Sequence, residues 1–72
     1  MYSVMYSPPG YPEKYVVCKM HAEGNVIVQG DVIYEGPDLA LARMAIHEDS
    51  WHPLTRFPRD KTDDQTIVET WI

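Results

Sequence analysis

The six prolines of this chain decide where regular structure is permitted. Pro8, Pro9 and Pro12 break any helix in the first thirteen residues, and Pro53 and Pro58 bound a segment, WHPLTRFP, too interrupted to hold one. Pro37 acts in the opposite sense, because a proline in the first turn of a helix forfeits no hydrogen bond. The stretch after it is therefore the place for a helix. The rest must be strand, turn or arm.

Residues 1–13, MYSVMYSPPGYPE, are rich in tyrosine and proline and carry one charge, at Glu13. They read as an N-terminal arm in extended or polyproline conformation. Tyr2, Val4 and Tyr6 alternate, so the first residues add an edge strand if they dock and fray if they do not. Pro8-Pro9-Gly10-Tyr11 resembles the proline-rich PPxY peptide that WW domains read; the plainer reading is a stiffened tail.

From residue 14 to 72 the pattern is that of one small domain. KYVVCKMH is rich in strand formers, AEGN supplies turn chemistry, and NVIVQGDVIYE resumes the strand character, which together predict a hairpin. Val26, Val28, Val32 and Tyr34 share one parity and Gln29, Asp31 and Glu35 the other, so Gly30 is expected as a bulge across which the alternation survives. Gly36, Pro37 and Asp38 then start the helix. Leu39, Leu41, Ala42, Ala45 and Ile46 fill one arc of it, with Arg43, His47 and Glu48 opposite and Met44 among the polar positions. A short extended piece around Leu54 to Phe57, a charged loop RDKTDDQ and a closing strand TIVETWI complete the chain. The expected architecture is α+β: a small antiparallel sheet with one helix packed on one face, in the order β-β-α-β with a further short strand.

Composition limits the function classes. The formal net charge is −5, from eleven acidic and six basic residues, which disfavours direct binding to nucleic acid or to an anionic membrane and suits a partner with a basic surface. No run of about 18 apolar residues is present, and the first residues lack the basic and apolar regions of a signal peptide. A cytoplasmic protein is expected. The single cysteine, Cys18, sits among apolar neighbours and reads as a buried thiol.

No chemistry-bearing constellation stands out. Cys18, His21, His47 and His52 could be counted as a zinc set, but Cys18 and His21 fall on opposite faces of a strand, and no metal or cofactor is expected. Asp63 and Asp64, like Glu48 and Asp49, are adjacent carboxylates of the kind more often solvated than catalytic, and no phosphate loop, zincin motif or nucleophile elbow is present. No catalytic residue is assigned. What remains is a binding surface: Asp31, Glu35, Asp38, Glu48 and Asp49 as an acidic face able to imitate a phosphate array, with Trp51 and Phe57 as apolar anchors. The charged loop from Arg56 reads as a solvated connection or as the rim of that surface.

The succession KYVVCKMHAEGNVIVQG, GPDLALARMAI, TIVETWI resembles, in architecture, small phage-encoded inhibitor proteins of anti-CRISPR type. That resemblance implies a non-enzymatic blocker that occupies a surface on a larger protein or ribonucleoprotein complex. The alternative is a homo-oligomerising module that pairs with a second copy through an edge strand, either Tyr2–Tyr6 or the closing strand TIVETWI.

Overall fold

The computed structural model describes residues 1–61, 63 and 65–72. Its strands are β1 (Tyr2–Tyr6), β2 (Tyr15–Glu23), β3 (Val26–Gly36), β4 (Arg56–Pro58) and β5 (Ile67–Trp71), with one helix, α1 (Leu39–Asp49), between β3 and β4. All strand pairs are antiparallel, in the spatial order β3-β2-β1-β5-β4. This is the expected α+β layer arrangement.

β1 departs most from expectation. Tyr2–Tyr6 is the middle strand of the sheet, paired with β2 on one side and β5 on the other, and neither an arm nor an edge. The reason is burial: Tyr2, Ser3 and Val4 are all buried, and Val4 is wholly so. A short strand buried on both faces belongs between neighbours, since an edge would leave one row of its backbone groups unpaired. Only residues 7–14 remain a connection. There Tyr11 N–H donates to the Pro8 carbonyl at 2.9 Å with Gly10 at φ 91°, so the PPGY stretch is a tight turn and not an extended polyproline segment.

The β2–β3 hairpin forms as expected, turning at Gly24, whose φ of 61° suits glycine. Gly30 is a bulge within one continuous strand, as read from the sequence. Between Met20↔Gln29 and Cys18↔Val32, β3 advances one residue more than β2, and it does so again before Val17↔Tyr34. Each extra residue reverses the alternation, which overturns the expected common parity. Val28 lies opposite His21 on the helix side, Val32 opposite Cys18 on the back, and Tyr34 opposite Val17 on the helix side again. A Cβ on Gly30 would stand 2.9 Å from the Lys19 carbonyl oxygen, so the bulge requires glycine there.

Asp38 caps α1, its Oδ1 accepting from the N–H groups of Ala40 (2.8 Å) and Leu41 (3.4 Å). Ala42 and Ile46 are its buried residues and join Tyr2, Val4 and Val17 in the core, with Leu39, Leu54, Val68 and Trp71 packed around them. The buried face is rotated from the expected arc. Leu41 is exposed, while Arg43 turns inward to β5. A polar partner within the sheet draws the helix round toward Arg43.

Because β1 is central, deletion of residues 1–6 is expected to abolish the cooperative thermal transition, whereas a detachable arm would leave it unchanged. Gly30→Ala is expected to cost about 1–3 kcal/mol in urea unfolding, through displacement of the Lys19 backbone.

Candidate protein interaction surface

The seven residues proposed from sequence for partner binding separate into four places. Asp31 and Glu35 lie on β3, an edge strand; Asp38 caps the start of α1; Glu48, Asp49 and Trp51 cluster in sequence at its far end; Phe57 lies on β4, the opposite edge. They do not form one acidic face. An α-helix of eleven residues separates Asp38 from Asp49 by roughly 16 Å at 1.5 Å per residue.

Some of these acids hold the fold together. Asp38 satisfies helix N–H groups. Asp49 accepts the Tyr2 hydroxyl at 2.6 Å and pairs with Lys19 Nζ at 3.0 Å, fastening the end of α1 to β1 and β2. Burial and then that hydrogen bond push the Tyr2 phenol up to about 12, while the Tyr2 and Lys19 contacts hold the Asp49 carboxyl below its ordinary range. Glu35 pairs with Lys14 at 3.6 Å between half-exposed side chains, a weak contact. Asp31 and Glu48 are exposed and make no ion pair among the described residues.

Trp51 is the most exposed large apolar side chain, at 92%. Its backbone is nonetheless fixed on both sides. Ser50 Oγ donates to the His52 carbonyl at 2.8 Å and accepts its N–H at 3.3 Å, and the His52 ring Nδ1 donates to the Pro53 carbonyl at 2.9 Å. Thr55 then exchanges two backbone hydrogen bonds with Ile72, at 2.8 and 3.0 Å. The indole meets only the edge of the His52 ring, with centroids 5.1 Å apart. A large ring is thus presented to solvent from a tethered turn.

Phe57 is 47% exposed and shares the back face with Thr70 across β4–β5. The Thr55–Ile72 pair continues that ladder, which makes exposed Ile72 a diagonal neighbour of Phe57. On the outer side of α1, exposed Leu41 and Met44 are three residues apart and so adjacent on the helix surface. Met44 was anticipated there; Leu41 was not.

The group that positions this region was missed from sequence. Glu69 on β5 is fully buried and accepts four hydrogen bonds: Arg43 Nε (3.0 Å) and Trp71 Nε1 (2.6 Å) at Oε2, Arg43 Nη2 (2.8 Å) and Arg56 Nε (3.2 Å) at Oε1. It ties α1, β4 and β5 together and so sets the base from which the Trp51 turn projects. Its available signal was the alternation of Glu69 with Trp71 in the closing strand, which puts one carboxylate on the side of a large aromatic residue; a register shift turns Ile67, opposite Met5, to the other face. Arg56, from the charged loop, is likewise a structural partner. In the same loop Asp63 Oδ2 accepts the Asp60 N–H at 2.9 Å; Asp64, its sequence neighbour, lies outside the described residues.

Cys18 is buried on the back face beside Gln29, its thiol pushed up chiefly by burial, and His21 is on the helix side. The His47 ring meets Trp71 edge-on, with centroids 5.1 Å apart. Among the described residues no three His, Cys, Asp or Glu side chains converge as a metal site would require, and no helix is long and apolar enough to cross a membrane. The chain matches no protein-family model, and no curated protein or solved structure matches it.

Burial opposes ionisation of Glu69, but the hydrogen bonds from Arg43, Trp71 and Arg56 outweigh it and hold the carboxyl at about 2 rather than 4.5. The depressed value means that the stabilisation is complete above about pH 5 and is lost as pH falls toward 2, with a magnitude of about 3 kcal/mol. Urea unfolding measured from pH 7 to 2 is expected to show that loss. Glu69→Gln should remove most of the pH dependence and cost about 3–5 kcal/mol at pH 7, because two guanidinium groups lose their carboxylate.

Proposed function

We propose that this chain is a non-enzymatic binding protein that acts by occupying a surface on a larger protein or ribonucleoprotein complex. The observation that carries this reading is Trp51, 92% exposed on a turn whose backbone is fastened on both sides. Leaving an indole in water is costly, and a pre-ordered aromatic loses little entropy on docking, the usual profile of an interface anchor.

Glu48, in the last turn of α1 three residues before Trp51 in sequence, supplies an exposed carboxylate at the same end of the helix, and the net charge of −5 directs the whole toward a basic partner. Asp31 and Glu35 add two further exposed acids on β3, separated by a register shift rather than aligned on one face. Asp38 and Asp49 contribute to the field while their hydrogen bonds serve the fold. A basic surface evolved to hold nucleic acid is the partner class that this charge suits best, which is the blocking role implied by the likeness to anti-CRISPR-type inhibitors. Phe57 and Ile72 form a smaller apolar site on the back face.

The test compares capture from a bacterial lysate by the immobilised chain and by Trp51→Ala, at low and moderate salt. The variant is expected to keep its thermal transition, since an exposed side chain contributes within about ±0.5 kcal/mol, and to lose a defined, salt-sensitive species that the parent retains. Equal capture of the same species by both proteins would overturn the reading.

A further inference from the structure

The outer half of β3 is built unlike its inner half. From Gly30 to Gly36 the strand carries two extra residues relative to β2, a glycine that no side chain can replace and the acids Asp31 and Glu35. Bulges and charges of this kind discourage a foreign strand from adding to an edge. Val26-Ile27-Val28-Gln29 has none of them: no charge, no proline, no glycine, and three consecutive β-branched residues. Its register with β2 is unbroken from Glu23↔Val26 to Met20↔Gln29.

This segment also extends beyond the sheet. β1 pairs with β2 only as far as Tyr2↔Lys19, followed by two hydrogen bonds between Met1 and Met20: Met20 N–H to the Met1 carbonyl at 2.7 Å and the Met1 amino group to the Met20 carbonyl at 3.3 Å. From His21 to Val28 the two strands pair with no other strand among the described residues. A two-stranded ribbon is marginal in water, and here it exposes Val26 (61%) on the helix side and Ile27 (55%) on the back.

We propose that two copies of this chain associate edge to edge through Val26–Gln29 of β3, antiparallel about a two-fold axis, extending the sheet across both molecules. Symmetry favours a second copy over a foreign strand: an antiparallel strand meeting itself is self-complementary, so an uncharged apolar segment meets an uncharged apolar segment. For a chain of net charge −5, this is a place where two copies can approach without opposing carboxylates. The axis stands perpendicular to the sheet, which keeps each face on its own side and requires it to pass midway between the two copies of one residue. At Ile27 it sets Ile27 against Ile27 of the second copy, Val26 against Val28 and Asn25 against Gln29, and the ladder ends before the Gly30 bulge. Moved to Val28, it would set Val26 against that bulge.

The contact is short, so the dimer is weak and concentration-dependent. Sedimentation equilibrium of the full chain from about 10 µM to about 1 mM covers the range suited to a small interface. The expected result is a reversible monomer–dimer equilibrium. Ile27→Lys, which opposes two ammonium groups across the axis, is expected to weaken it at least about tenfold with the thermal transition retained. Val26→Lys, at a still more exposed position, is the second variant and should act in the same direction. Trp51→Ala should leave the equilibrium unchanged, which separates this contact from the surface proposed above. A chain monomeric throughout overturns the proposal and leaves the edge to a strand from a different protein; a dimer undiminished in both lysine variants overturns it as well.

Discussion

A single buried carboxylate organises the half of the molecule beyond β1. Glu69 lies within hydrogen-bond distance of a helix side chain, an edge-strand side chain and a neighbour on its own strand, and both its oxygens are occupied. An isolated charge in that position would cost many kcal/mol, so the site is tolerable only when Arg43, Arg56 and Trp71 are all in place. That requirement converts an electrostatic cost into a registration device. The aliphatic cluster of Tyr2, Val4, Val17, Ala42 and Ile46 is small, and apolar contact alone permits several rotations of a helix on a sheet. The forked guanidinium of Arg43 permits far fewer.

The same interaction explains where the sequence was legible and where it was not. Turn and cap chemistry is local, and it located the hairpin at Gly24, the helix start at Asp38 and the bulge at Gly30. The closing strand and the short strand before it were also readable from β-branched and aromatic content. Helix rotation was not, because it depends on an ion pair between residues far apart in sequence, and apolar periodicity alone placed Leu41 inward and Arg43 outward. Parity along β3 failed for a different reason. The bulge was recognised, but its effect on the alternation depends on how many residues it inserts, and that is fixed by the facing strand.

The candidate surface was legible in its aromatic part and less so in its acidic part. Trp51 follows a helix end and precedes a proline, a setting that leaves a side chain outside the core, and Phe57 belongs to a short strand at the sheet margin. Acid residues carry no such positional signal. Asp38 and Asp49 look identical in sequence to solubilising charge, and only the helix N–H groups, the Tyr2 hydroxyl and the Lys19 ammonium reveal their structural duties. The acidity of a small protein thus does not by itself separate charges that serve the fold from charges left in solvent.

The central position of β1 has a kinetic consequence. Its pairing with β2 closes a short loop, but its pairing with β5 brings residue 2 opposite residue 71, so completing the sheet means closing almost the whole described chain into a ring. Loop closure on that scale is entropically expensive before any contact offsets it, and contacts so distant in sequence slow folding. The natural order is a three-stranded meander first, with β5 and β4 recruited as the Glu69 cluster forms. Until then one side of β1 is an open edge of buried-type residues, and the interval before closure is when this chain is most exposed to pairing with the wrong strand.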